Sequence, residues 1–257
     1  MSSAVEYHAF LQPGVELPGG VGAYDRLTEA CDAGGVTFFH AGINPGFAME
    51  VWPLTLSQVC RRIDRLTVTE VIDMRHYPSI HMLEYMGFGK PGVESPMHQR
   101  FGAHAKASPY SLTMGVLAQA LGVELEDIRY DREVAVAEQS FTIAAGEIDV
   151  DTTAAIKFSL DGYLHGQPKI TFEWVWRVTD EVAPDWPTGA SRWILRIEGD
   201  PTVAAEIDLA TSLDAGRAVS LSVATILLNA VPAVCAAEPG LFNNLTIGLH
   251  GGGYFVP

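Results

Sequence analysis

The period of the apolar positions changes several times along the chain, and each change marks an element. Residues 24–33 place Leu27, Ala30 and Cys31 on one helical face, and Gly34-Gly35 ends the pattern. The run Val36-Thr37-Phe38-Phe39-His40 is apolar without alternation, as in a short buried strand. It leads into Ala41-Gly42-Ile43-Asn44-Pro45-Gly46-Phe47, where Asn at the N-cap and Pro at the first helical position predict a helix start. That helix is expected to reach about Arg62, with Phe47, Val51, Leu54 and Gln58 down one side and a kink at Pro53.

Arg65 to Tyr77 alternates as a strand does. A short helix over Ile80 to Met86 is followed by an expected long loop, and Ser108-Pro109 opens a further helix that Gly122 ends. From Arg129 to Asp208 the pattern is of strands. Ala154–Leu164 and Lys169–Arg177 form a hairpin about His165-Gly166-Gln167-Pro168, and Trp193–Glu198 and Val203–Asp208 add two more. In the second arm of the hairpin, Ile170, Phe172, Trp174 and Trp176 share one face, which reads as core or subunit interface.

From Ala218 to Ala237 the chain runs twenty residues without a charge, long enough to cross a bilayer. Ser220, Ser222, Thr225, Asn229 and Pro232 interrupt it, and the capping stretch Ser212-Leu213-Asp214 precedes it. The expectation is a buried helix broken near Pro232 rather than a membrane span. The element order predicts an α+β plan: an open mixed or antiparallel sheet with helices on one face.

Composition narrows the classes. Of 257 residues, 48% are hydrophobic and 18% charged, enough to fill a core and too little charge for a disordered chain. The net charge of −15 repels phosphate backbones, so no nucleic-acid partner is expected. The same field would draw a cationic substrate such as an amine toward a cleft, although solubility alone explains it. Cys31, Cys60 and Cys235 are odd in number, far apart and without a CxxC, which fits free thiols in a reducing cytoplasm. The start of the chain shows no basic and apolar leader pattern.

A search for chemistry is mostly negative. Gly20-Val21-Gly22 has no strand before it, and Gly251-Gly252-Gly253 has no helix after it, so both read as plain loops rather than dinucleotide cradles. There is no Walker A sequence, no GxSxG and no HExxH. His76 and His81 are five apart, off a shared helix face, and no metal site is expected.

Four stretches carry a family resemblance. His40-Ala41-Gly42-Ile43-Asn44-Pro45-Gly46-Phe47 resembles the G-[VI]-N-P-G-F signature of 2,4-diaminopentanoate dehydrogenases and native amine dehydrogenases, within the dihydrodipicolinate-reductase-like superfamily. Leu66 to Asp73 is similar to that family's next strand, and Arg192-Trp193 through Ile197-Glu198-Gly199-Asp200-Pro201 to its R-W-x-x-x-I-E-G-D-P segment. Asn229-Ala230-Val231-Pro232-Ala233-Val234, followed by Glu238-Pro239-Gly240, is similar to its closing segment.

The resemblance implies a fold and a function. Residues 1–43 would be the remnant of a Rossmann nucleotide-binding domain that is otherwise missing. Residues 44–211 would form a substrate-binding and dimerisation domain, and 212–257 a C-terminal helix and tail packing back on the remnant. The implied activity is NAD(P)-dependent and reversible, converting a small amine or amino acid to a ketone, in a homodimer. With no cofactor motif in the chain, binding of NAD or NADP by this chain alone is not expected. Ser2-Ser3-Ala4-Val5-Glu6 is similar to the family's S-S-x-E-E, with Val5 in place of its first acid, which puts the catalytic glutamate at Glu6. A carboxylate there can take protons from the attacking amine and return them to departing water. His40, Asn44 and Trp174 are the implied substrate contacts. Asn44, Pro45 and Gly46 are the implied cofactor contacts, through the N–H groups of a helix start; the plainer readings are a helix cap for Asn44 and core for His40. Two alternatives stay open: a non-catalytic dimerisation or ligand-binding domain, and dihydrodipicolinate reductase, suggested only by His104-Ala105-Lys106.

Overall fold

The computed structural model describes residues 22–92, 94–103, 105, 108–182, 184–209 and 218–253. In chain order the elements begin with α1 (Ala23–Gly34), β1 (Thr37–Phe39), a π-type helical segment Ile43–Val51 and α2 (Trp52–Ser57). Then come β2 (Arg62–Asp73), α3 (Ile80–Met86), α4 (Pro96–Ala103) and α5 (Pro109–Ala120). The strand block is β3 (Asp127–Val136), β4 (Phe141–Ile143), β5 (Gly146–Ile148), β6 (Thr153–Leu164), β7 (Gln167–Arg177), β8 (Arg192–Asp200) and β9 (Val203–Asp208). The chain closes with α6 (Ala218–Ala236) and β10 (Gly240–Phe242).

By contact the chain divides into two compact units. Residues 57–105 and 125–212 form a sheet unit; 1–56, 106–124 and 213–257 form a strand-pair unit. Residues 44–56 and 106–124 therefore group with the two ends of the chain.

The sheet unit holds six strands in the order β3-β6-β7-β2-β8-β9. Only β2 and β7 run parallel, in register from Leu66↔Ile170 to Asp73↔Arg177; the other neighbours are antiparallel. The sheet is thus mixed, and the fold class is α+β. Cross-strand pairing lines up one row over all six strands: Arg132, Phe158, Trp174, Glu70, Trp193 and Ile207. Phe158 stacks on Trp174 at 4.9 Å with the rings 9° from parallel, and Trp176 meets Phe158 edge-on at 4.9 Å. Glu70 is buried in the row, and its two oxygens accept hydrogen bonds from the indoles of Trp176 (3.1 Å) and Trp193 (3.0 Å). A buried carboxylate needs such donors, and two tryptophans of the core supply them.

Ile170, Phe172 and Trp174 of the aromatic stripe are therefore core, and Trp176 is half-buried. Trp174, read from the sequence as a substrate contact, has 0% of its surface exposed and offers no face to a ligand. The reason is its pairing between Phe158 and Glu70 in the middle of the sheet, where both neighbours cover it.

The strand-pair unit is built on β1 and β10, which pair in parallel from Thr37↔Gly240 to Phe39↔Phe242. Phe39, Ala41, Ala230 and Val234 make one buried cluster, with Ile226, Leu227, Phe242 and Ile247 packed around them, and Ile43, Met49, Leu112, Met114 and Leu117 are buried in the same unit.

Four expectations are corrected. The helix read from Asn44 does not start there: the Asn44–Pro45 peptide is cis, and Asn44, Pro45 and Gly46 all have non-helical angles. An N-cap followed by a helical Pro requires a trans bond leading into helical angles, and Gly46 at φ 127° turns the chain instead. The helix that follows ends at Ser57 rather than near Arg62, where β2 is already paired to β8. The long loop after Met86 contains α4, whose first turn is held by Ser95 Oγ accepting from His98 N at 3.1 Å. Finally, α6 runs unbroken through Pro232 to Ala236, and only Ala218, Ala230 and Val234 in it are buried. Leu221 and Leu228 are exposed, the latter by 68%. The helix is long and apolar enough to span a bilayer by length and composition. Its residues 226, 227, 230 and 234 form one stripe, and the small β1/β10 pair can cover no more than a stripe.

Candidate functional site

β1 delivers the chain into the strand-pair unit's most constrained turn. His40, Ala41 and Ile43 are buried, and Gly42 is fully extended at φ −170° and ψ −174°. After the cis Asn44–Pro45 bond, Gly46 reverses the chain so that Phe47 N donates to Gly42 O at 2.9 Å. A side chain at Gly46 would need an unfavourable positive φ and would bring its Cβ to 3.2 Å from Asn244 Nδ2. The sequence Asn-Pro-Gly-Phe is thus a tight turn that leads into the helical segment Ile43–Val51 with Phe47 as its first helical side chain.

That geometry places Glu50 opposite the C-terminal loop. Glu50 is fully buried, and its Oε2 accepts from Asn244 Nδ2 at 2.9 Å. Asn244 is held in turn by a side-chain-capped turn, in which Asn243 Oδ1 accepts from Leu245 N (2.9 Å) and Thr246 N (3.0 Å). The bond between residues 50 and 244 ties the first helical turn to the end of the chain.

Beside this lock lies a cavity of about 250 Å³. Phe47, Val51 and Ile226 give it an apolar wall; Asn229, Asn244 and His250 bring polar groups to it. The remaining wall is the glycine strap Gly248 to Gly252, folded against α6. Asn229 Oδ1 accepts from Gly253 N at 3.3 Å, and a Cβ on Gly252 would collide with the Asn229 amide. His250 Nδ1 donates to Gly248 O at 3.1 Å, which leaves Nε2 as an acceptor. Few polar groups on an apolar wall in a small cavity suit a small molecule with one polar end.

The sequence-derived site residues divide. Asn44, Pro45 and Gly46 form the turn itself, and His40 lies buried just before it; none of the four lines the cavity. Trp174 belongs to the sheet unit's core. Glu6, His104 and Lys106 lie outside the described residues. Sequence reading missed Glu50 and Asn244 as a pair, and it took the glycine strap for a plain loop. Asn229 shows in the sequence only as the first residue of the Asn-Ala-Val-Pro-Ala-Val motif.

The sheet unit has a larger cavity, about 360 Å³, near Arg75, His76, Gln139 and Glu181. Arg75 is occupied there by Asp73 (2.8 Å) and Asp180 (2.6 Å), and these hydrogen bonds hold its pKa above the ordinary value. Among the described residues no group of three or more His, Cys, Asp or Glu is placed to hold a metal. A dinucleotide fits no described segment either: Gly22 precedes α1 with no described strand before it, and the glycine strap leads into no described helix.

The fold defines a class: an α+β chain with an apolar-walled cavity in one unit and a dry sheet core in the other. Residues 47–250 match the model of the 2,4-diaminopentanoate dehydrogenase C-terminal domain, and the chain belongs to that family. It is similar to an amine dehydrogenase of Streptomyces virginiae, with 31% identity over 236 residues, covering 88% of this chain and 64% of that protein. Its fold is similar to that of the amine dehydrogenase from Mycobacterium smegmatis, at a TM-score of 0.66 and 16% identity, covering 93% of this chain and 65% of the other. The chain thus spans just under two thirds of the length of these relatives.

Proposed function

We propose that this chain handles the substrate of an oxidoreductase acting on the CH–NH2 group of a small amine or amino acid. The observation that carries the reading is the family match over 47–250, which runs from the Asn-Pro-Gly-Phe turn to the glycine strap. The relatives' name, amine dehydrogenase, is the second support. A bound nicotinamide, NAD or NADP, would supply the hydride acceptor for the carbon bearing nitrogen, and hydrolysis of the resulting imine would release ammonia and the ketone. Within the chain, Phe47, Val51 and Ile226 would hold the alkyl part. The Asn244 amide, fixed by Glu50, and the Asn229 amide would orient the nitrogen or oxygen end. Glu6 remains the proposed proton-transfer group.

A homodimer in the cytoplasm completes the proposal; the free thiols of Cys31, Cys60 and Cys235 suit a reducing compartment. Neither a purely structural role nor dihydrodipicolinate reduction is favoured by the family match.

The test is calorimetric titration of the purified chain with short-chain amines and their ketones. Saturable binding is expected, weakened about tenfold or more by Asn244→Leu, since each lost hydrogen bond at a buried polar end costs roughly 1–3 kcal/mol. Equal affinity in a folded Asn244→Leu chain removes the cavity from the reading.

A further inference from the structure

We propose that Arg132 anchors a site for one small carboxylate in the sheet unit, completed by Ser95, His98 and Tyr130. The inference rests on the sheet unit alone, not on the amine-handling reading.

Arg132 stands at the β3 end of the cross-strand row and is 9% exposed. Its guanidinium donates from Nη1 to Ser95 Oγ at 2.8 Å and from Nη2 to the Met86 carbonyl at 3.1 Å. Both acceptors are neutral. Nε has no hydrogen-bond partner among the described residues, and each terminal nitrogen has a second N–H to give. Gly87, whose φ of 113° caps α3, also leaves the guanidinium its place, since a Cβ there would lie 2.7 Å from Nη2.

A buried cation is costly unless an anion faces it. The other buried guanidinium of this unit obeys that rule, since Arg177 has Asp180 at 3.0 Å. Arg132 has no carboxylate within ion-pair distance among the described residues. Glu70, buried in the same row, is three strands away, about 14 Å at the usual strand spacing. Glu94 is mostly exposed and lies 3.8 Å from His98 Nε2, its nearest ion-pair contact. Beside Arg132, His98 Nδ1 donating to Tyr130 Oη at 3.1 Å would leave the tyrosine hydroxyl proton for an anion, and Tyr130 shares the Arg132 face of the sheet.

The chemistry favours a monoanion. A carboxylate is planar and can meet the unused N–H groups of a guanidinium in a two-point contact. A phosphate dianion would bring two charges to one buried cation, next to Glu94 in a chain of net charge −15.

The experiment uses the whole chain, labelled with 15N, titrated with acetate and separately with inorganic phosphate at fixed ionic strength. Arg132→Met identifies the Arg132 Nε–H resonance and supplies the control. Acetate is expected to shift that resonance saturably and to raise the melting temperature of the wild type, with affinity at least tenfold lower in Arg132→Met. If Arg132→Met does not fold, the wild-type resonance, assigned through its backbone, carries the test. No saturable shift overturns the proposal, as does a response to phosphate equal to or stronger than that to acetate, or unchanged acetate binding in Arg132→Met.

Discussion

The sheet of one unit and the α6 cluster of the other bury apolar surface in opposite ways. The sheet unit closes on itself: Phe158, Phe172, Trp174, Trp193, Leu66, Val68 and Leu195 are all at most 2% exposed. The strand-pair unit has a cluster of one phenylalanine with two alanines and a valine, under a helix whose Leu221 and Leu228 face outward. The unit with the large core has the rigid row of cross-strand pairs. The strand-pair unit holds that small cluster and a further buried set that includes Ile43, Met49, Leu112, Met114 and Leu117, and it also has the constrained turn, the Glu50–Asn244 lock and the cavity.

The largest effect that probes this difference is a matched pair of truncations. Trp174→Ala removes a fully enclosed side chain and is expected to cost about 3–5 kcal/mol, the range for aromatic-to-alanine changes in rigid cores. Phe39→Ala removes a side chain equally buried but ringed by the half-buried Ile226, Leu227 and Phe242. Its neighbours can relax and water can enter, so its cost should fall below that of Trp174→Ala. Urea unfolding followed by far-ultraviolet circular dichroism measures both. Equal costs, or a larger one at Phe39, would break the contrast between the units.

A smaller test addresses α5, which belongs to the strand-pair unit. Ser108 caps it: its Oγ accepts from Ser111 N at 3.1 Å, with Pro109 in the first turn. Ser108→Ala should cost about 1 kcal/mol and Ser108→Asp much less, because aspartate also caps. A cost above that of Phe39→Ala would show that the unit depends on its local helix signals more than on its core.

Local signals are also what made much of the fold legible. The Ser108 cap, the short helix Ile80–Met86 and the β6–β7 hairpin all depend on residues close in sequence, and the chain shows them plainly. The parallel pairings β2–β7 and β1–β10 join distant segments, and no periodicity announces such a partner. The turn at Asn44-Pro45-Gly46 misled because Asn followed by Pro is also how a helix begins; the cis bond and the positive φ of Gly46 decide otherwise. Glu50 and Asn244 are 194 residues apart, so their bond was illegible, although the motifs at both ends of the chain were noticed. The apolar run of α6 misled in a different way: hydrophobicity marks what can be buried, while the small strand pair sets how much is.

The finest test returns to the edge of the sheet core. Burial raises the Tyr130 hydroxyl to about 12, with Arg132 opposing the rise. In the unfolded chain a tyrosine ionises at about pH 10, its ordinary value. Between those values the folded protein keeps a proton that the unfolded chain has released, so stability is intact below about pH 10 and falls as the pH climbs toward 12. Tyr130→Phe loses the contact with His98 Nδ1 and should be less stable at neutral pH by about 1 kcal/mol. That gap should narrow above about pH 10, because the phenylalanine variant has no proton to lose there. Urea midpoints of both proteins between about pH 8 and 11.5 give the comparison, with the other tyrosines cancelling. A gap that stays constant over the range would place Tyr130 in a solvated setting and remove it from the dry edge of the sheet.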